Sequence, residues 1–206
     1  MILNWPNRIT LLRVLAVPVF VIMVLRIQEP DTGLLYRKLA LSLFLAVGIA
    51  DVLDGYLARR LNQHTRLGAV MDPVADKILL TAGIVMLAFP EVSRPTIAKW
   101  LVVLAVSRDV FLIVGSTVLF VLIGRVHISV TRIGRLCTFG LTLLIVTALA
   151  AGLFPPSVQE TWIRGIMLAL SYACALFILV SGYQYFQVGR SQLGAAGHEP
   201  VARDER

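Results

Sequence analysis

Thiol and imidazole groups are scarce in this chain of 206 residues, which holds two cysteines and three histidines. Cys137 and Cys174 lie inside apolar stretches with no metal-ligand spacing around them and are expected to be inert packing residues. His64 and His127 stand alone in polar connections, so neither has the second histidine that a zinc site needs. Low-complexity segments are absent too. Charged residues make up only 15%, and no connection between apolar stretches is long enough to hold a soluble domain. Any activity must therefore be carried by the apolar segments and their ends.

Those segments dominate. Hydrophobic residues are 58% of the chain and the mean hydropathy is +0.83. One soluble domain of this length cannot bury that much. A transmembrane helix needs about 20 mostly apolar residues, and six segments qualify: 10–27, 34–52, 72–89, 98–122, 133–153 and 162–186. The expected architecture is an all-α integral membrane protein with six transmembrane helices. The first segment is too long for a secretory signal and no small-residue cleavage site follows it, so it is expected to stay in the mature protein. Before it, MILNWPN suits a short interfacial segment. Residues 1–188 form the expected membrane domain, and the Gly- and charge-rich stretch 189–206 an expected disordered tail.

Lys and Arg accumulate on the cytoplasmic side of membrane proteins. With the N-terminus in the cytoplasm, twelve cations fall on that side and six on the other, with Arg108 inside a span. Both termini are therefore placed in the cytoplasm. The net charge of +7 is spread over the loops rather than gathered on one surface, which favours anionic lipid headgroups over nucleic acid as partners. Trp5, Trp100 and Trp162 near segment ends fit an interfacial belt, and Pro18 a kink.

The chemistry lies between Asp51 and Lys77. On a helix continuing the second span, Asp51, Asp54 and Ala58 fall at i, i+3 and i+7 and share one face. Asp72 and Asp76, at i and i+4, share a face of the third span, and Pro73 suits its first turn. The polar connector RLNQHTRLG lets the two helices return antiparallel, so the carboxylate pairs can face each other. Four unpaired carboxylates this close would repel, and divalent cations relieve that. Oxygen-only ligands select Mg²⁺, Mn²⁺ or Ca²⁺ over zinc. Two such ions, roughly 3.5–4 Å apart, can clamp a phosphoryl group. Gly55 and Gly68, lacking side chains, let a phosphate or base approach the backbone. Phosphoryl transfer is the reaction class expected. A cation path is the rival from another class, but it needs acids spread through the bilayer depth, whereas these four gather at one end of two helices.

The run Asp51-x-x-Asp54-Gly55-x-x-Ala58-Arg59, eight residues, Gly68, three residues, Asp72, three residues, Asp76 resembles the signature of the CDP-alcohol phosphotransferases at every position. The resemblance covers roughly residues 4–150 and implies a six-helix membrane enzyme, often a homodimer, that moves a phosphatidyl or similar group from a CDP-linked donor to an alcohol and releases CMP. It implies that Asp51, Asp54, Asp72 and Asp76 hold two divalent metals, Mg²⁺ or Mn²⁺, and that Asp76 is also the base. Gly55, Ala58 and Gly68 would line the cytidine pocket, with Arg59 contacting the donor phosphates or ordering the metal loop. The N-terminal pattern Asn4, Pro6, Asn7, Thr10, Arg13, with DPVADK at 72–77, is similar to phosphatidylglycerophosphate synthases and eukaryotic-type cardiolipin synthases. Asn7 and Thr10 are donor-contact candidates or caps of the first helix.

The leading expectation is transfer from CDP-diacylglycerol to glycerol 3-phosphate, at the cytoplasmic face of a bacterial inner membrane. Its dianionic acceptor calls for cations near the metals, and Arg108, Arg132 and Arg135 are the candidates. Arg108 sits beside Asp109 within an apolar span, where a buried ionisable pair is functional or mutually neutralising. Ser107-Arg108-Asp109 is closer to the cardiolipin synthase pattern, so phosphatidylglycerol stays open as the alternative acceptor.

Overall fold

The computed structural model describes residues 5–61, 77–123 and 132–196. These are helical, with no strand among the described residues. Helix α1 spans Trp5–Leu25, α2 Gly33–Leu61, α3 Lys77–Met86, α4 Lys99–Ile123 and α5 Arg132–Ala151. A single turn, α6 (Pro156–Val158), passes through a π-helical turn (Gln159–Ile163) into the long α7 (Arg164–Ala196). Each expected apolar segment thus has a helix, and three, Gly33–Ala50, Ile133–Ala151 and Pro156–Val188, are long and apolar enough to cross a membrane. Arg13–Leu25 and Lys77–Met86 are shorter apolar helices. Two helices outrun the expected segments. α2 carries on past residue 52 to Leu61, and α7 carries past Gly189 to Ala196, so the described part of the expected tail is helical.

Burial follows helical spacing. Ala16, Phe20, Val24 and Ile27 come inward from the α1 side, Ala40, Phe44 and Val47 from α2, and Cys137, Leu141, Leu144, Ile145, Ala148 and Leu149 from α5. These steps of three and four residues mark one helix face. α5 is central, packing on both α2 and α7, while α1 lies on α2 and α4 on α7. Phe20 and Phe44 meet with ring centroids 5.7 Å apart. Both cysteines are buried and free, as packing residues should be. The opposite faces are apolar and exposed: Leu168, Tyr172, Leu176, Leu179 and Phe186 run down α7. Outward apolar side chains on a bundle whose polar groups turn inward are the pattern a lipid solvent selects. Hydroxyls inside the helices return to the carbonyl one turn back, as Thr142 does to Thr138 (2.9 Å), Thr147 to Leu143 (2.8 Å) and Ser171 to Met167 (2.7 Å). None of these three hydroxyls is left unpaired.

The α1–α2 turn is tight because of Gly33. A Cβ there would lie 2.2 Å from the Ile27 carbonyl oxygen, a backbone atom that cannot swing aside. Gly33 N–H donates to the Glu29 carbonyl at 2.9 Å and starts α2. Over this turn, the Arg26 guanidinium donates to the Tyr36 hydroxyl (3.2 Å). Trp100 rests on Tyr172 with centroids 5.6 Å apart, and Trp162 is 70% exposed, both consistent with the expected interfacial belt.

Candidate active site

Helix α2 extends through Asp51, Asp54, Gly55, Ala58 and Arg59. The helical backbone expected there is present, so Asp51, Asp54 and Ala58 occupy one helix face by register. The side chains of these five, and of Asn7, Thr10 and Arg132, lie outside the described residues, as do Gly68, Asp72 and Asp76 and both loop histidines, His64 and His127, altogether. Asn7 and Thr10 fall inside α1, which the structure already has helical at Trp5. A capping role at the start of the helix therefore does not suit them. Among the described residues no group of three His, Cys, Asp or Glu gathers as a metal cluster.

What is described of the site is a charge network beginning one residue after Asp76. Lys77, the first described residue of α3, ion-pairs through Nζ with Asp109 Oδ1 on α4. The same oxygen accepts from Arg108 Nη1 at 2.9 Å. Arg108 Nη2 donates to the Ser181 hydroxyl of α7 at 3.0 Å, and its guanidinium carbon stands 5.9 Å from the Tyr185 ring centroid. One carboxylate therefore ties α3 to α4, and one guanidinium ties α4 to α7.

Two cations share one anion here, leaving an excess positive charge. The Arg108 side chain is only 9% exposed, and its Nε is buried without a hydrogen-bond partner among the described residues. A buried donor left unmade is costly. Arg108 thus combines both meanings weighed for it in the sequence: it is neutralised by Asp109 and still has an unused donor. Arg135, in the first turn of α5, is exposed and has no partner among the described residues. Arg13, within the N-terminal pattern, is 4% exposed and sunk into the bundle.

Sequence reasoning missed several of these residues. Lys77 was of interest only as a neighbour of the aspartates, and Ser181 and Tyr185 carried no signal at all. A charge placed directly after Asp76 in DPVADK was the available hint for Lys77, and the N-terminal pattern was the hint for Arg13.

Membrane-length apolar helices, four aspartates at signature spacing on and beyond α2, and a cationic network that starts one residue after the last of them in the chain point to a membrane-embedded phosphatidyltransferase. Residues 3–177 match the CDP-alcohol phosphatidyltransferase family, and the chain belongs to it. Membership sets aside the cation-path reading of the carboxylates. The chain is similar to proteins named CDP-diacylglycerol--glycerol-3-phosphate 3-phosphatidyltransferase. The Bacillus subtilis (strain 168) protein is 30% identical over 190 residues, covering 89% of this chain and 93% of the relative. The Rickettsia felis protein is 30% identical over 188 residues, covering 89% and 94%. That of Shigella flexneri serotype 5b is 31% identical over 193 residues, covering 92% and 97%.

Proposed function

We propose that this protein transfers the phosphatidyl group of CDP-diacylglycerol to glycerol 3-phosphate, forming phosphatidylglycerophosphate and CMP. The observation that carries this reading is the near full-length similarity to proteins named for that reaction. The charge balance of the described site supports the acceptor. Lys77 and Arg108 share one carboxylate, Arg108 keeps an unpaired Nε, and Arg135 is exposed where α5 begins. A phosphomonoester dianion needs more positive charge than the phosphodiester monoanion of phosphatidylglycerol.

In this account Asp51, Asp54, Asp72 and Asp76 hold two divalent cations, Mg²⁺ or Mn²⁺. Their donor set is all carboxylate oxygen, which fits hard divalent ions. When bound, the cations neutralise phosphate charge during transfer. Gly55, Ala58 and Gly68 leave space for the cytosine ring, Asn7 and Thr10 contact the donor, and Arg59 holds its phosphates. Arg108, Arg132 and Arg135 bind the acceptor phosphate. Asp76 accepts the proton of the acceptor hydroxyl as its oxygen attacks the phosphatidyl phosphorus. The new P–O bond forms as the bond to CMP breaks, and CMP leaves with the electron pair. The protein works as six transmembrane helices in a bacterial inner membrane, as a homodimer, with both termini and the site at the cytoplasmic face.

Purified protein supplied with CDP-diacylglycerol and each acceptor in turn tests the reading. Glycerol 3-phosphate should be consumed with equimolar CMP release. Turnover of phosphatidylglycerol alone would reassign the protein to cardiolipin synthesis.

A further inference from the structure

The end of the bundle opposite the aspartates carries a buried charge that the transfer reaction does not use. Arg37 precedes Asp51 by fourteen residues on the same helix, which at 1.5 Å per residue separates them by roughly 21 Å. Arg37 is only 6% exposed. Its Nη2 donates to the Ser93 hydroxyl (3.2 Å) and the Arg94 carbonyl (3.0 Å), and its Nη1 to the Ala148 carbonyl (3.3 Å). Every one of these acceptors is neutral, and no carboxylate pairs with Arg37 among the described residues. The last turn of α5, which supplies the Ala148 carbonyl, offsets part of the charge through the negative end of its dipole. A buried guanidinium with only partial charges around it still favours an anion.

Room for one exists beside it. Arg37, Arg94, Gln28, Gln159, Gly33 and Gly152 line an open cavity of about 260 Å³, with Ile27 and Leu34 as its apolar wall and no carboxylate among the described lining residues. A Cβ on Gly152 would lie 2.2 Å from Arg37 Nη1, so glycine at that position is what lets the guanidinium reach the cavity. Arg94 is exposed and has no ion pair among the described residues, leaving it able to swing onto a ligand. Small-molecule sites commonly occupy roughly 300–1,000 Å³. This cavity is therefore suited to a phosphate and its nearest ester groups, and is too small for a nucleotide. Two guanidiniums and two amides supply only what a tetrahedral oxyanion accepts from, apart from the amide oxygens. The cavity also opens where the α1–α2, α3–α4 and α5–α6 connections converge, at the ends of apolar helices, which is headgroup depth.

We propose that this cavity binds a phosphate group, with Arg37 as its fixed cation and Arg94 as its mobile one, and that a phospholipid headgroup supplies it. The proposal is independent of which acceptor the cytoplasmic end uses.

Thermal unfolding of the full-length protein in uncharged detergent tests it, with short-chain phosphatidylglycerol, inorganic phosphate or a matched uncharged diacylglycerol as probe. R94Q isolates this site from the catalytic end, and because Arg94 is exposed the variant should fold. K99Q removes a nearby exposed charge that does not line the cavity. Loss of one charge-assisted contact corresponds to about 1.5–3 kcal/mol, so R94Q should bind phosphatidylglycerol at least about 10-fold more weakly, while K99Q matches wild type and diacylglycerol has no effect. R37Q should lose the phosphatidylglycerol response if it folds. Equal affinity in wild type and R94Q, or an equal loss in K99Q, overturns the proposal. Stabilisation by inorganic phosphate alone, lost in R94Q, would keep the phosphate site and overturn the lipid source.

Discussion

Asp109 offers the sharpest structural prediction, because one oxygen serves two cations from two helices. Asp109→Asn keeps the shape and removes the charge. The Lys77 side chain is 40% exposed, so its pair with Asp109 is solvent-screened and contributes about 0.2–1 kcal/mol. Arg108 is different, at 9% exposure, and would be left with neutral acceptors alone, an amide oxygen at position 109 and the Ser181 hydroxyl. Breaking a fully buried pair costs about 3–5 kcal/mol, and Asp109 is 19% exposed, which places the combined loss at about 2–3 kcal/mol after screening. For a chain of this size that is a fall of roughly 4–12 °C in unfolding temperature. Differential scanning fluorimetry in detergent reads it, and a double-mutant cycle with Arg108→Met isolates the pair. Once Arg108 is removed, Asp109→Asn should cost under about 1 kcal/mol, since only the exposed Lys77 pair remains. Equal costs of Asp109→Asn with and without Arg108 would refute the shared-carboxylate account. Turnover should fall along with stability, because Lys77 directly follows Asp76 in the chain and the pair ties this part of α3 to α4.

Other consequences follow from the same geometry. Gly33→Ala should destabilise by about 3 kcal/mol, as overpacking against immobile backbone does, and an unchanged unfolding temperature would contradict the 2.2 Å approach to Ile27. Arg135→Ala should raise KM for glycerol 3-phosphate by about 10-fold or more, the loss of one charge-assisted contact, with a smaller change in kcat; steady-state kinetics that move only kcat would remove Arg135 from the acceptor site. Chelation should stop CMP release, and Mg²⁺ or Mn²⁺ but not Zn²⁺ should restore it, as oxygen-only ligands require.

The helices were legible because apolar runs and their three-and-four spacing are local properties. α5 shows this well, since its buried face can be read directly from Cys137, Leu141, Leu144 and Ala148. The extension of α2 past its apolar run was legible from a different signal, the i, i+3, i+7 spacing of Asp51, Asp54 and Ala58, since its polar last turns no longer look like membrane. Two of the four signature aspartates, Asp51 and Asp54, lie on this end of α2. Three-dimensional pairings were not legible. Lys77 and Asp109 are 32 residues apart, and nothing in either neighbourhood selects the other over the nearer aspartates. Arg37 and Arg13 were counted as boundary charges, the usual fate of a cation near a span end. Which face of the helix each occupies decided otherwise, and both are buried. The carboxylate signature was legible for a different reason: its spacing is a family pattern, and residues 3–177 match that family.

The most direct test of the central claim is the acceptor assay run with wild type and Asp76→Asn side by side. With CDP-diacylglycerol and glycerol 3-phosphate, wild type should form phosphatidylglycerophosphate and CMP in equal amounts, and Asp76→Asn should lose at least about 10²-fold in rate, the lower range for removing a general base. Retention of activity in Asp76→Asn, or CMP release that requires phosphatidylglycerol instead of glycerol 3-phosphate, would contradict the account.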